Sequence, residues 1–407
     1  MNFIFEHQNI DMETEPEVQF DDTQIAFSYK SDKQLKKANF IFTIVNNPFI
    51  SGLAITLVKI GLALRLPIKK IIRNTVFDHF CGGETIDESE KTIGILGQYK
   101  VGTILDYSVE GAKTEEGFDD TCAQILATFE EAKKSHHVPF CVFKTTGMAD
   151  SDLLTKINAH ESLSPSEKSS FEKVKDRIDR ICRKAFDFQI PVLIDAEETW
   201  IQDPIDSIAQ AMMRKYNINQ TLVFTTYQMY RVDSLDNLKA AYHDAVQNNY
   251  YLGVKIVRGA YMEKERQRAE DYNYPDPIHP DKESTDKAFN DALEFCVANH
   301  ERVALVCGSH NEYSNQFLTG LIKKYGLTHE YGKIWFSQLL GMSDNISFNL
   351  ANKGYNVVKY VPYGPVKSVM PYLFRRASEN TSVAGQSSRE LRMIRKEIER
   401  RRQKRAK

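Results

Sequence analysis

The chain predicts an α/β fold, a (β/α)8 barrel of the TIM type, carrying a helical N-terminal extension and a basic C-terminal helix. Three observations carry this reading. Eight short apolar runs, each followed by helix-forming sequence, recur between residues 100 and 380. That span is the usual size of such a barrel, and the polar side chains able to do chemistry sit at the C-terminal ends of the runs, where barrel enzymes keep their sites. The expected organisation is residues 1–99 as N-terminal segment and helical arm, 100–385 as catalytic barrel, and 386–407 as a basic helix.

Taken in order, residues 1–35 are polar and acidic with isolated aromatics, and a loosely held segment is expected there. The first twenty residues lack the basic start of a secretory or mitochondrial address, so the expected location is cytoplasmic. From Ala38 to Val58 no charged residue occurs, yet Asn46-Asn47-Pro48 and Ser51-Gly52 interrupt the run. Two short helices are expected, the second reaching Leu66 before Pro67, as a buried or interfacial pair and not a membrane span. The eight strands are expected at 101–109, 140–144, 191–195, 221–225, 252–257, 303–307, 334–339 and 357–361, with helices between them.

The last unit organises the rest. Its strand stops at Pro362 and Gly364, and Pro365 suits the first turn of the helix that follows. On that helix Tyr372, Arg375, Arg376 and Glu379 recur at i, i+3, i+4 and i+7 and share one face, while Val369, Met370, Leu373 and Phe374 form the apolar side. Paired guanidinium groups suit a small carboxylate or phosphate, which the planar fork can bind in a bidentate way.

The other strand ends read Asp106, Lys144, Asp195 with Glu197 and Glu198, Thr225 with Gln228, Lys255 with Arg258, Ser309 with His310 and Asn311, Gln338, and Tyr360. Ionised groups ending apolar strands need partners or a polar cavity. Convergence of Lys144, Lys255, Arg258, Arg375 and Arg376 on one cavity would make it cationic, with Asp195 and Glu379 as counterions. Such a site wants an anionic small molecule and a phosphate-bearing cofactor.

Composition removes other classes. Six scattered cysteines without a CxxC pair indicate buried thiols in place of a disulfide framework or a zinc site, and no metal is expected. The net charge of −2 hides a local +7 over residues 389–407, which leaves the remainder near −9. A basic helix of this kind suits an anionic membrane surface. It has no aromatic residue for base stacking, so no nucleic-acid partner is expected.

The stretches KIVRGAYMEKER (255–266), VLIDAEETW (192–200), SHNE (309–312), FSQLLGM (336–342), ILDYSVEG (104–111) and YVPYGPV with PYLFRRASEN (360–380) closely resemble the proline dehydrogenase family, in its monofunctional form. The resemblance spans about residues 75–385. It implies a barrel that binds FAD, oxidises L-proline to 1-pyrroline-5-carboxylate by hydride transfer from proline C5 to flavin N5, and passes electrons to a membrane quinone. By the same resemblance Arg375, Arg376 and Lys144 hold the proline carboxylate, Tyr360, Tyr372 and Leu339 wall the ring, and Asp195 lies beside the amine and the clamp. Asp195, Lys144 and Lys255 are the groups implied nearest the chemistry, and which of Asp195, Lys144 or water takes the amine proton stays open. Arg258, Gly259, Ala260, Ser309, His310, Ala196, Thr225 and Glu379 are implied to hold FAD. Many relatives have arginine and lysine where this chain has Lys255 and Arg258, so those two cations can exchange roles, and Thr225 stands where relatives carry Asn or Gln.

The same residues serve two other chemistries. A 4-hydroxyproline substrate would be crowded by the Tyr360 phenol, and a lyase would use Lys144 or Lys255 as a Schiff base to a keto acid. A membrane-bound scaffold with the tail as its working part is the non-enzymatic reading. The expected setting is a peripheral protein on the inner face of a membrane.

Overall fold

In a computed structural model of the protein the eight runs form eight parallel strands closed in chain order into one barrel. The structure describes residues 18–64, 66–108, 113–382 and 386–406, without the side chains of 48, 62, 63, 376–382, 386 and 387. The strands are β1 (Val101–Tyr107), β2 (Phe140–Lys144), β3 (Val192–Asp195), β4 (Val223–Gln228), β5 (Leu252–Val257), β6 (Val303–Gly308), β7 (Ile334–Leu339) and β8 (Val357–Tyr363). Two boundaries differ from expectation in a way that matters. β4 is displaced toward its C-terminus and ends at Gln228 in place of Thr225. β8 runs through Pro362, which lies past its last pairing with β7, Leu339 with Tyr360, where no donor to that strand is needed; the proline carbonyl accepts from the Gly82 amide at 2.9 Å.

Side chains alternate between lumen and shell along each strand. The lumen is filled by Ile104, Phe140, Val142, Leu193, Phe224, Ala304, Val306, Val358 and Tyr360. Phe140 meets Phe224 and Trp335 edge to face, with ring centroids 5.7 and 5.2 Å apart. Packed aromatics each stabilise by roughly 1.5–3 kcal/mol through burial. They close the lower lumen, so the polar lumen residues stand only at the C-terminal mouth. The opposite strand faces pack on the helical ring in a second, larger core.

The N-terminal segment is not loose where it is described. Val18, Phe20 and Phe27 are buried, and the Asn345 side chain donates to the Phe20 carbonyl at 3.1 Å. These aromatics have the outer barrel surface to pack on, which an acidic composition alone does not reveal. The two expected arm helices are Asp32–Val45 and Pro48–Ala63, bent by 99° at the break between them. Among the described residues no single helix is long and apolar enough to cross a membrane.

The C-terminal helix, Gln386–Ala406, is a clasp on one face. Leu391 and Ile394 join a buried cluster with Leu35, Phe42, Val369 and Leu373, linking tail, arm and the helix Val366–Ser382. The Glu397 carboxylate is fully buried and accepts from Arg400 and Arg401, at 2.7–2.9 Å. Arg401 also donates to the carbonyls of Phe27 and Lys30 at 2.9 and 2.8 Å. Part of the tail's positive charge therefore holds the fold together.

Candidate active site

The mouth opens into a cavity of about 630 Å³. Strand register builds its floor. Lys144 pairs with Asp195 across β2 and β3, Thr226 with Lys255 across β4 and β5, and Leu339 with Tyr360 across β7 and β8. Residues at one register level share a side of the sheet, so these side chains all enter the lumen.

Lys255 is the centre of the hydrogen bonding. Its ammonium donates to Asp195 Oδ1 and, at 2.6 Å, to the Tyr360 hydroxyl, which in turn donates to Asp195 at 3.1 Å. Burial pulls the Lys255 pKa below that of a free lysine, and the Asp195 charge opposes that pull. Burial, reinforced by Asp195, pushes the Tyr360 phenol well up, so it stays a donor. Lys144 is looser. Its ammonium stands 4.0 Å from Asp106 and 3.9 Å from Asp195, and its side chain is 23% exposed toward the cavity.

The helix Val366–Ser382 brings Tyr372 and Arg375 to the same cavity as Lys144. Val369, Met370 and Leu373 anchor it in the cluster shared with arm and tail. The side chains of Arg376 and Glu379 lie outside the described residues.

A second part of the wall is made by Arg258. Its guanidinium donates to Asp286 at 2.7 Å, to Ser309 at 2.9 Å and to Ser314 at 2.9 Å, and stacks over Phe289 at 4.4 Å. Three partners from three elements fix the fork at the cavity's edge. Gly259 follows with φ +145°, and a Cβ there would come within 2.4 Å of the Tyr230 ring. The close approach this glycine permits is therefore to Tyr230. Ala196, Ala260, Ser309 and His310 also line the cavity, and His310 Nδ1 lies 2.9 Å from the Ser343 hydroxyl.

Thr225 is corrected. It faces the shell, with its hydroxyl 3.5 Å from Asp206, because the lumen phase of β4 is Phe224, Thr226, Gln228. Gln228 takes the position at the strand end. It donates to the Glu197 carbonyl at 2.7 Å and accepts from the Ala260 amide at 3.1 Å, tying the β3 and β5 turns together. Beside it the buried Glu197 carboxyl accepts from the Thr146 amide at 2.9 Å, and burial pushes its pKa up to about 7. Tyr261, Thr226 and Lys282 line the cavity without having been singled out. Tyr261 sits three residues after the buried-strand arginine in the quoted 255–266 stretch, the one signal that pointed to it.

The arrangement fits a flat ring with an anionic extension. Small residues, Ala196 after β3, Ala260 after β5 and Gly308 at the end of β6, leave room above the floor, while Arg258, Lys282 and Arg389 stand along the outer wall. The inner end offers Lys144 and Arg375 to a small carboxylate.

The family model for proline dehydrogenase matches residues 89–389. The chain is 32% identical to mitochondrial proline dehydrogenase 1 of Dictyostelium discoideum, over 93% of this chain and 74% of that one. It is 29% identical to hydroxyproline dehydrogenase of Xenopus laevis, over 92% and 88%. Among solved structures, proline utilization A of Bdellovibrio bacteriovorus, inactivated by N-propargylglycine, superposes with a TM-score of 0.69 at 19% identity, covering 88% of this chain but 38% of that one. With the barrel, the cationic mouth and these likenesses together, the chain belongs to the proline dehydrogenase family of oxidoreductases.

Proposed function

We propose that the cavity binds L-proline beside FAD, oxidises it to 1-pyrroline-5-carboxylate, and passes the electrons to a membrane quinone. The single observation that carries this reading is the convergence of Lys144, Lys255, Asp195, Tyr360, Tyr372 and Arg375 on one mouth from four separate strands and one helix. FAD, when bound, supplies the two-electron acceptor for the hydride leaving proline C5. Arg258 and Lys282 would face its anionic part, with Ala196, Gly259, Ala260, Ser309 and His310 around it.

The chain's own residues hold the substrate. Arg375 and Lys144, with Arg376 by its place on the helix, clamp the carboxylate. Tyr360, Tyr372 and Leu339 exclude water from the ring. Asp195 keeps Lys255 and the Tyr360 hydroxyl in place, and with Lys144 it borders the amine, whose proton must leave before or with the hydride.

Tyr360 also bears on substrate choice. Its hydroxyl is tied to both Lys255 and Asp195, so it cannot swing aside cheaply to admit a ring 4-hydroxyl. Proline is the preferred substrate on this ground, although a named relative acts on hydroxyproline.

The visible spectrum of the purified protein tests the proposal. A flavin band that bleaches on anaerobic addition of L-proline is expected. A colourless protein whose lysine is trapped by borohydride in the presence of a keto acid would replace it with the Schiff-base reading. Tetrahydro-2-furoate, which keeps the carboxylate and lacks the amine, should compete with proline, and failure to compete would remove the clamp.

A further inference from the structure

An exposed apolar surface that the site does not use lies on the arm. Along the helix Pro48–Ala63, Phe49, Leu53, Leu57 and Ile60 are 80, 53, 59 and 49% exposed. Their spacing of four, four and three residues confines them to an arc of about 80° at 3.6 residues per turn, and Leu64 falls in the same arc. The opposite side is held: Ser51 is buried, Val58 packs against the tail and arm cluster, and Lys59 lies over the Phe374 ring at 5.4 Å. An ordered helix thus turns a continuous apolar ridge outward, which a soluble surface does not leave without cause.

Charge identifies the occupant. Between Asp32 and Asp78 the chain has eight Lys or Arg residues and no Asp or Glu. Lys59, Lys69, Lys70 and Arg73 are exposed around the helix and just after it. An apolar ridge set in a field of one sign matches an anionic lipid headgroup layer, with the ridge in the acyl boundary and the lysines at the phosphates. The helix is 16 residues long, about 24 Å at 1.5 Å per residue, short of the roughly 30 Å hydrocarbon core. Its 99° bend from the preceding helix suits a segment lying in the membrane plane.

We propose that this ridge is the docking surface of the protein on an anionic bilayer. It also decides where the cavity meets the lipid. The arm helix packs on Val366–Ser382 through Phe374, next to Arg375 at the cavity wall, so docking sets the mouth beside the membrane. A lipid-soluble electron acceptor then reaches the site without crossing water. That last step rests on the function proposed above, whereas the docking itself does not.

The test is cosedimentation of the full chain with vesicles of phosphatidylcholine alone and of phosphatidylcholine mixed with phosphatidylglycerol, beside the triple variant Leu53→Ser, Leu57→Ser, Ile60→Ser. The expected result is binding to the mixed vesicles that salt weakens, little binding to the neutral ones, and about a tenfold or greater loss in the variant. Melting temperature and proline turnover with a soluble dye should match the parent, since the substituted side chains are exposed and line no part of the cavity. Equal vesicle binding by parent and variant overturns the proposal. So does a variant that binds as before but passes from dimer to monomer in light scattering, which would make a second copy the occupant. If neither protein turns over proline while vesicle binding still follows the ridge, the catalytic reading fails and the docking surface stands.

Discussion

The protein contains two triads of one aspartate and two lysines, on opposite sides of the barrel wall. In the lumen, Asp195 stands with Lys255 and Lys144. In the shell, Asp344 accepts from Lys359 and Lys30, each at 2.8 Å, and from the Tyr29 hydroxyl at 2.8 Å. Lys359 and Tyr360 are adjacent on β8, so a single step along the strand separates a structural cation from a residue lining the cavity. The shell triad is complete. Lys359 also donates to the Met342 carbonyl at 2.6 Å, every charge has close partners, and the group joins the N-terminal segment to the barrel. The lumen triad instead opens on a cavity, with the Lys144 ammonium 4.0 Å from Asp106 and 3.9 Å from Asp195 and its side chain 23% exposed. The difference teaches that a charge cluster closed on all sides acts as a staple, whereas one that opens on a cavity is a candidate for holding a ligand.

That contrast can be broken by substitution, and the largest effect is expected in the shell. Asp344→Ala leaves two buried lysines without their acid and should cost about 3–5 kcal/mol of stability in denaturant unfolding. Turnover per folded molecule should hold; its loss would mean that the shell triad also serves the site. Lys255→Met should do the reverse. Turnover over KM for proline is expected to fall about a hundredfold, roughly 2.7 kcal/mol of transition-state stabilisation, with a small change in unfolding midpoint because Asp195 keeps Lys144 and an open cavity. Arg375→Ala sharpens the reading of the cavity side: removing one arm of the proposed carboxylate clamp should raise the proline KM more than about tenfold, on the order of 1.4 kcal/mol. An unchanged KM would take Arg375 out of the site.

The smallest effect concerns pH and again separates the regions. Glu390 of the tail lies beside the shell triad and bonds the Ser343 amide; burial, with the Asp344 charge next, pushes its pKa from 4.5 up to about 7. A carboxyl that keeps its proton longer folded than unfolded adds stability below about 4.5, and loses it as pH rises toward about 7. The melting temperature should therefore decline across that window. Glu390→Gln, which keeps the acceptor and removes the titration, should flatten part of the decline, while dye-coupled turnover is unaffected. An identical slope in the variant would assign the decline to other buried carboxyls that shift the same way, Glu197 and Asp206.

Much of this was legible beforehand. The eight runs could be found because buried parallel strands are short and apolar, and the helix bearing Arg375 because proline and glycine punctuate its start. Lys144, Asp195 and Lys255 stood out as charges ending such runs. Thr225 was misjudged because the run Thr221 to Gln228 is apolar or neutral at both phases, and only pairing with β5 says which phase faces inward. Lys359 escaped notice for the same reason, as did the packing of Phe20 and Phe27.

The sequence by itself determined the barrel, the strand order and the set of charges at its mouth, since each follows from local spacing and from the chemistry of burying charged groups. Tertiary structure alone decided which of those charges open on the cavity, which tail arginines are used as a clasp, and which arm residues face outward. Those outcomes depend on distances between segments hundreds of residues apart, and no local pattern encodes such distances.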